Sequence, residues 1–227
     1  MFLFCLPFLT GFIEINIGDN NQVNTGTVST DCLEGNNKTG TESREIGKFS
    51  SLIVAGSAFD LKIKEGEEPS LSLTADKNLL PYIETNLTEE KLTIRASRSV
   101  CSQNPMIIDI TSPGLHSVTA SGANTLVMQG QYQDLEVYLS GASDLTINGK
   151  AEKLGGKLEG STTLEAEGLK AEIIEIEAHG SSTATVHAEK SLKARSYGAS
   201  DITYSGKPAK LDIRTSGAGD ISSHSHE

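Results

Sequence analysis

Three aspartates, Asp144, Asp201 and Asp220, each stand three residues after a glycine, in segments that otherwise repeat one another. If those segments stack at the ordinary spacing of paired strands, about 4.8 Å, the carboxylates of Asp201 and Asp220 fall about 5 Å apart. Retaining glycosidases hold their two carboxylates at about that separation, so this pair could cleave a polysaccharide. The competing reading is local, because an aspartate at a tight corner accepts backbone N–H groups. Asp144 has Thr125 and Thr163 in the matching places of the neighbouring units, so the pattern follows the corner more closely than a site. Calcium wants about six to eight oxygens, and one carboxylate per unit is too sparse to supply them.

Other chemistry is thinly represented. His116, His179, His187, His224 and His226 are scattered, and His179 and His187 fall at outward positions. No Gly-x-Ser-x-Gly elbow, phosphate loop, dinucleotide fingerprint or zinc-spaced Cys/His cluster occurs, so no cofactor and no metal are expected. Of the three cysteines, Cys5 lies in an apolar leader, leaving Cys32 and Cys101. An even count in an exported chain fits one disulfide, although two unrelated thiols fit the sequence equally well.

The elements that must position these residues are announced by glycine. Gly122, Gly141, Gly160, Gly180, Gly198 and Gly217 follow one another at steps of 19, 19, 20, 18 and 19 residues. Four residues before them stand Val118, Val137, Gly156, Ile176, Ala194 and Ile213, and two before them Ala120, Leu139, Leu158, Ala178, Ser196 and Thr215. That is a short strand with alternate residues turned inward. Small residues follow each glycine, then Asn124, Ser143, Thr162, Ser182, Ser200 and Gly219, which favour a turn. Alternation resumes at Leu126, Leu145, Leu164, Ala184, Ile202 and Ile221 and closes on a second ladder, Gly130, Gly149, Gly168, Ala188 and Gly206. A unit of strand, corner, strand, corner cannot bury its own inner face, whereas stacked units share one core. The expected fold is therefore all-β, a solenoid of about 19-residue rungs with an N-terminal β cap; a propeller fits less well, since its blades need about 40 residues.

Four segments are expected. Residues 1–13 form an apolar leader, too short for the roughly 20 residues of a membrane span and resembling a secretory signal. A buried first strand continuing into Ile15 and Ile17 is the alternative. Leu9-Thr10-Gly11 resembles the run before a lipidated cysteine, but Phe12 stands in its place, so no lipid anchor is expected there. Residues 14–44, rich in Asn, Thr, Gly and Ser, read as a flexible spacer. Residues 45–114 alternate over several short strands and read as a β region capping the array, and 115–227 hold the repeats; 45–227 read as one continuous domain. The chain of 227 residues carries a net charge of −11 with no basic stripe, which excludes a phosphate-binding nucleic-acid partner. On the outward faces, Tyr138, Lys157, Glu177, Arg195 and Arg214 alternate in charge with Glu136, Glu175, Lys193 and Asp212. Tyr132 and Tyr138 are the aromatics expected outside the core.

The phrase Ser-Gly-Ala-Ser-Asp-(Leu/Ile), whole at Ser140 to Leu145 and nearly whole at Tyr197 to Ile202 and Ser216 to Ile221, resembles the head GIN domain family of auto-transporter adhesins. So do Phe49 to Ile63 and Ala75-Asp76-Lys77-Asn78-Leu79-Leu80. The resemblance covers residues 45–221; the units at Gly160 and Gly180 depart from it by lacking the aspartate. It implies a right-handed β-helix-like fold in an exported protein of Bacteroidetes-type bacteria, at the periplasm or cell surface, without a catalytic motif. The expected role is a non-catalytic adhesion or ligand-binding module for a polysaccharide or a surface protein. The alternatives are a polysaccharide lyase or hydrolase using Asp201 and Asp220, and a structural module forming a homo-oligomer through the end of its solenoid.

Overall fold

Alternating apolar residues and recurring glycines produce the same local unit again and again, and parallel pairing of those units builds the molecule. The computed structural model describes residues 32–224; the leader and the spacer up to residue 31 lie outside the described residues. The strands before the array are β1 (Leu33–Glu34), β2 (Thr39–Arg44), β3 (Ser51–Ala55), β4 (Phe59–Glu65), β5 (Ser70–Asp76), β6 (Ile83–Thr88), β7 (Lys91–Ala96), β8 (Val100–Cys101) and β9 (Met106–Ser112). The array follows as β10 (Ser117–Gly122), β11 (Thr125–Gly141), β12 (Asp144–Gly160), β13 (Thr163–Gly180), β14 (Thr183–Gly198), β15 (Asp201–Gly206), β16 (Lys210–Gly217) and β17 (Ile221–Ser223).

These strands form a β-solenoid with two walls, as the repeat requires. Strands ending at a corner glycine make the first wall, in the order β3, β10, the second halves of β11 to β14, then β16. Strands leaving the corner make the second wall: β4, the first halves of β11 to β14, β15 and β17. All these pairings are parallel. The glycines stack in register, Gly122 on Gly141, then Gly160, Gly180, Gly198 and Gly217. Between the walls the inner ladders meet, and Leu126, Leu145, Leu164, Ala184, Ile202 and Ile221 are all buried in one core.

The N-terminal end is finished differently. Strands β7 and β9 lie parallel to β3 and β4 and stack Leu92 on Leu52 and Ile108 on Leu61, adding a rung whose two halves are joined by an excursion through β8. Beyond them the pairing turns antiparallel, β6 on β7 and β5 then β2 on β9. Residues 39–44, read as spacer, are therefore strand β2. Its side chains are largely exposed, so hydrophobic content gave no sign of it; backbone pairing to β5, the Thr41–Thr74 hydroxyl contact at 2.9 Å and Arg44 hold it. The Arg44 guanidinium donates to the carbonyls of Leu80 and Ile83. Cys32 and Cys101 are joined in a disulfide, their Cα atoms 5.7 Å apart, beside the short β1–β8 pair.

The 20-residue step in the repeat is absorbed as a bulge. Thr146 faces Glu165, but Gly149 faces Leu169 and not Gly168. The second ladder of small residues thus slips by one at β13, and two further shifts follow between β13 and β14, where Ala188 faces Ala171 and not Gly168. An extra residue in a parallel rung must be pushed out of the ladder if the inward alternation on either side is to survive.

Tyr132 is buried in the core cluster rather than standing on the surface. Burial, with the Glu65 charge as the lesser cause, pushes its phenol up to about 12. The neutral form belongs to the fold, so its stabilising contribution is intact below the ordinary tyrosine value of about 10 and is lost as pH rises through about 12. Ultraviolet titration of the phenolates should show a component near that value, coincident with unfolding, that Tyr132→Phe removes; a Tyr132→Phe protein with the same alkaline profile would contradict the burial.

Candidate functional site

Of the corner aspartates, Asp201 bonds the backbone of the next corner. Asp201 and Asp220 are exposed, and the Asp201 carboxylate accepts the Asp220 backbone N–H at 2.9 Å. Beside them runs a buried hydroxyl ladder. Ser143 donates to the carbonyls of Gly122 (3.2 Å) and Ser140 (3.3 Å), Ser182 to those of Gly160 and His179, and Ser200 to that of Tyr197. Thr162 joins Ser182 at 3.1 Å. These side chains, expected only to favour a turn, are buried and bond the corner carbonyls, adding a second partner at Gly122 and Gly160, which already accept the N–H groups of Ala142 and Ser181. Of the histidines, His187 meets the Ser205 hydroxyl at 2.9 Å and His116 lies 3.3 Å from the Asp134 carbonyl; His226 is outside the described residues. Among the described residues no group of His, Cys, Asp and Glu is placed to hold a metal ion.

The outer face of the first wall brings polar and aromatic groups together. In one row across the rungs stand Glu136, Gly155, Glu175 and Lys193, and in the next Tyr138, Lys157, Glu177 and Arg195. Gly155 leaves a gap in the first row, and a hollow of about 270 Å³ opens there, lined by Glu136, Tyr138, Lys157, Glu175, Glu177 and Lys193. The Glu136 carboxylate leans over Gly155, where a Cβ would run into it, and is held by Lys153 at 3.3 Å. Lys193 pairs with Glu175 at 3.5 Å.

Along the corner side of the hollow the groups are more tightly bound. The Tyr138 hydroxyl donates to Glu159 at 2.5 Å, Lys157 reaches the same carboxylate at 2.7 Å, and the Lys157 ammonium sits 5.7 Å from the Tyr138 ring centre. Lys157 first, then Tyr138, holds the Glu159 carboxyl below its ordinary range. The Glu159 hydrogen bond in turn pushes the Tyr138 phenol up. On the next two rungs the rings of His179 and Tyr197 stack 4.6 Å apart at 15°. Arg195 bonds the Asp212 carboxylate at 2.5 Å and holds it below the usual carboxylate range.

Sequence reasoning placed Tyr138 and the alternating charges on this face. It missed the hollow, because Gly155 belongs to no glycine ladder, and it missed the aromatic stack. The signal for the stack was present: His179 and Tyr197 each precede a corner glycine in consecutive units and so must be neighbours.

The molecule is thus a two-walled β-solenoid repeat scaffold with an antiparallel cap and a polar, aromatic-edged outer face. Residues 48–208 match the family described as "Putative auto-transporter adhesin, head GIN domain", and the chain belongs to that family. Among solved structures, a putative adhesin from Bacteroides fragilis NCTC 9343 is similar with a TM-score of 0.69 at 20% identity, over 85% of this chain and 100% of that one. A putative adhesin from Parabacteroides merdae ATCC 43184 gives 0.55 at 20% identity over 86% and 100% of the two chains. A putative lipid binding protein from Parabacteroides distasonis ATCC 8503 gives 0.54 at 18% identity over 85% and 99%. At these identities the likeness is one of fold. No curated protein matches the chain. Among the described residues no helix is long and apolar enough to cross a membrane.

Proposed function

We propose that this protein is an exported, non-catalytic adhesion module of the bacterial envelope that holds a glycan on the outer face of its first wall. The observation that carries the reading is the hollow over Gly155, with Tyr138 as one wall and carboxylates and ammonium groups around its rim. Sugars are bound by such sets, an aromatic face against the ring and charged groups against the hydroxyls. Family membership and the adhesin names of several similar structures support the adhesive role. The Cys32–Cys101 disulfide supports export, since disulfides persist in oxidising compartments. The Asp201 carboxylate is engaged by a backbone N–H, which favours reading the corner aspartates as turn ligands and not as a hydrolytic pair.

The test is migration in native gels cast with cell-wall, mucin and plant polysaccharides, followed by two variants. Gly155→Gln fills the hollow from its solvent side and displaces the carboxyl end of the Glu136 side chain; Tyr138→Ala removes the aromatic wall. Each should weaken retardation by the selected glycan about tenfold, the equivalent of about 1.4 kcal/mol, without changing the melting temperature. Unchanged retardation in both variants would remove the binding site from this face, and no retardation by any polymer would turn the search to a protein partner.

A further inference from the structure

The two ends of the solenoid are unlike. At the N-terminal end the outermost strand of the second wall, β2, presents Thr39, Thr41 and Ser43 and no large apolar side chain, as sheet edges that must stay unpaired do. At the C-terminal end β16 is a regular strand of eight residues, bonded on one side to β14 and exposed at every position. The inward column Leu135, Leu154, Ile174, Leu192 is 0 to 2% exposed; the next member, Leu211, is 48% exposed. Ala194 is 0% exposed, and Ile213, stacked on it, 39%. The core is therefore cut across at β16, with its apolar residues and its backbone edge both open.

We propose that this edge pairs with the same edge of a second copy, antiparallel about a two-fold axis through Ile213. Charge selects that register. With the axis at Ile213, Asp212 of each copy stands opposite Arg214 of the other, Ile213 meets Ile213, and Leu211 meets Thr215. Moving the axis to Asp212 puts Asp212 against Asp212 and Lys210 against Arg214, so two like-charge contacts would oppose pairing. Moving it to Leu211 sets Arg214 against Pro208, which has no N–H to offer and lies before the strand. A shift by one residue would turn the apolar side chains of one copy away from those of the other. The Arg214 side chain is 75% exposed and only loosely paired with Asp212 of its own copy, at 3.7 Å, since that carboxylate is held closer by Arg195; the exposed guanidinium can therefore extend across the edge. In the paired state Leu211 and Ile213 are covered as Leu192 and Ala194 are within one copy, and the core runs through both solenoids.

Sedimentation equilibrium of the full chain in a Cys5→Ser background should show a dimer that Arg214→Glu converts to monomer, since it sets two acids opposite one another. In the same background Ile213→Cys should oxidise to a covalent dimer within minutes, because side chains opposite one another on antiparallel strands approach to about 5 Å. Thr203→Cys, on the outer side of β15 and away from the edge, should remain monomeric under the same oxidation. A chain that stays monomeric at high concentration overturns the proposal. So does a dimer that survives Arg214→Glu and fails to cross-link through Ile213→Cys, which would place the contact elsewhere.

Discussion

Replacing Gly141 by valine should cost about 4 kcal/mol, enough to leave most of the chain unfolded or broken in mid-column. Two effects act at this position. Its φ of +83° is a conformation that a β-branched residue rarely adopts, and a Cβ there would lie 2.6 Å from the carbonyl oxygen of Gly122 on the rung below. That oxygen accepts the N–H of Ala142, so it cannot withdraw without giving up the bond that joins the two corners. Gly56 separates the two effects. It also has positive φ, +59°, yet a Cβ added to it meets nothing within 4 Å. Gly56→Asn should therefore cost about 1 kcal/mol or less, since Asn tolerates the left-handed region. Ala142→Val, on the exposed side of the same corner, should change stability by no more than about 0.5 kcal/mol. Denaturant midpoints for the three variants decide the matter. A Gly141→Val midpoint equal to that of Gly56→Asn would show that close approach between rungs does not select glycine.

The contrast between these glycines shows what was legible beforehand. The six-member ladder could be read because stacking in register repeats one steric demand every rung, and a demand met only by glycine leaves a period in the chain. The same period exposed the inner ladders, since a buried position on one rung lies over a buried position on the next. What did not repeat was not legible. The extra residue near Gly168 is invisible until pairing decides which residue is expelled. β2 follows no apolar alternation because it is an edge strand held through its backbone, and its polar composition read as spacer. Asp76 and Asn78, within a phrase that carried the family resemblance, turn out to have structural work. The buried Asp76 carboxylate accepts from Ser102 at 2.8 Å and Asn104 at 2.9 Å, while Asn78 donates to the Glu34 carbonyl at 2.7 Å. Such partners, brought from distant positions, have no spacing that one sequence could reveal. The candidate site has the same character: Tyr138 and the charge alternation were visible because they recur, and the hollow was not, because it arises from one glycine where the neighbouring rungs carry glutamate.

The disulfide supplies the second large effect, and it bears on the end of the molecule that the repeat does not build. Cys32 and Cys101 are 69 residues apart, and closing a loop of that size in the unfolded chain is worth about 4 kcal/mol on the chain-entropy account. The segments it joins have little else. β1 and β8 are two residues each, and two such strands do not hold together alone. Their other attachments are the hydrogen bonds through Asp76 and Asn78, which need residues 34–36 and 102–104 delivered to them. The double variant Cys32→Ser, Cys101→Ser should therefore lower the unfolding free energy by about 4 kcal/mol, and reduction of the native protein should lower the melting temperature to match. Loss should begin locally. Hydrogen exchange in the variant should accelerate first over residues 32–44 and 97–105, while the amides of β11 to β13, bonded on both sides by neighbouring rungs, keep their protection until global unfolding. Freed of β1 and then β2, the edge of β5 becomes available to other chains, so the variant should also aggregate at lower temperature. A variant with the native melting temperature and unchanged exchange over those residues would show that the cap is held by its hydrogen bonds alone.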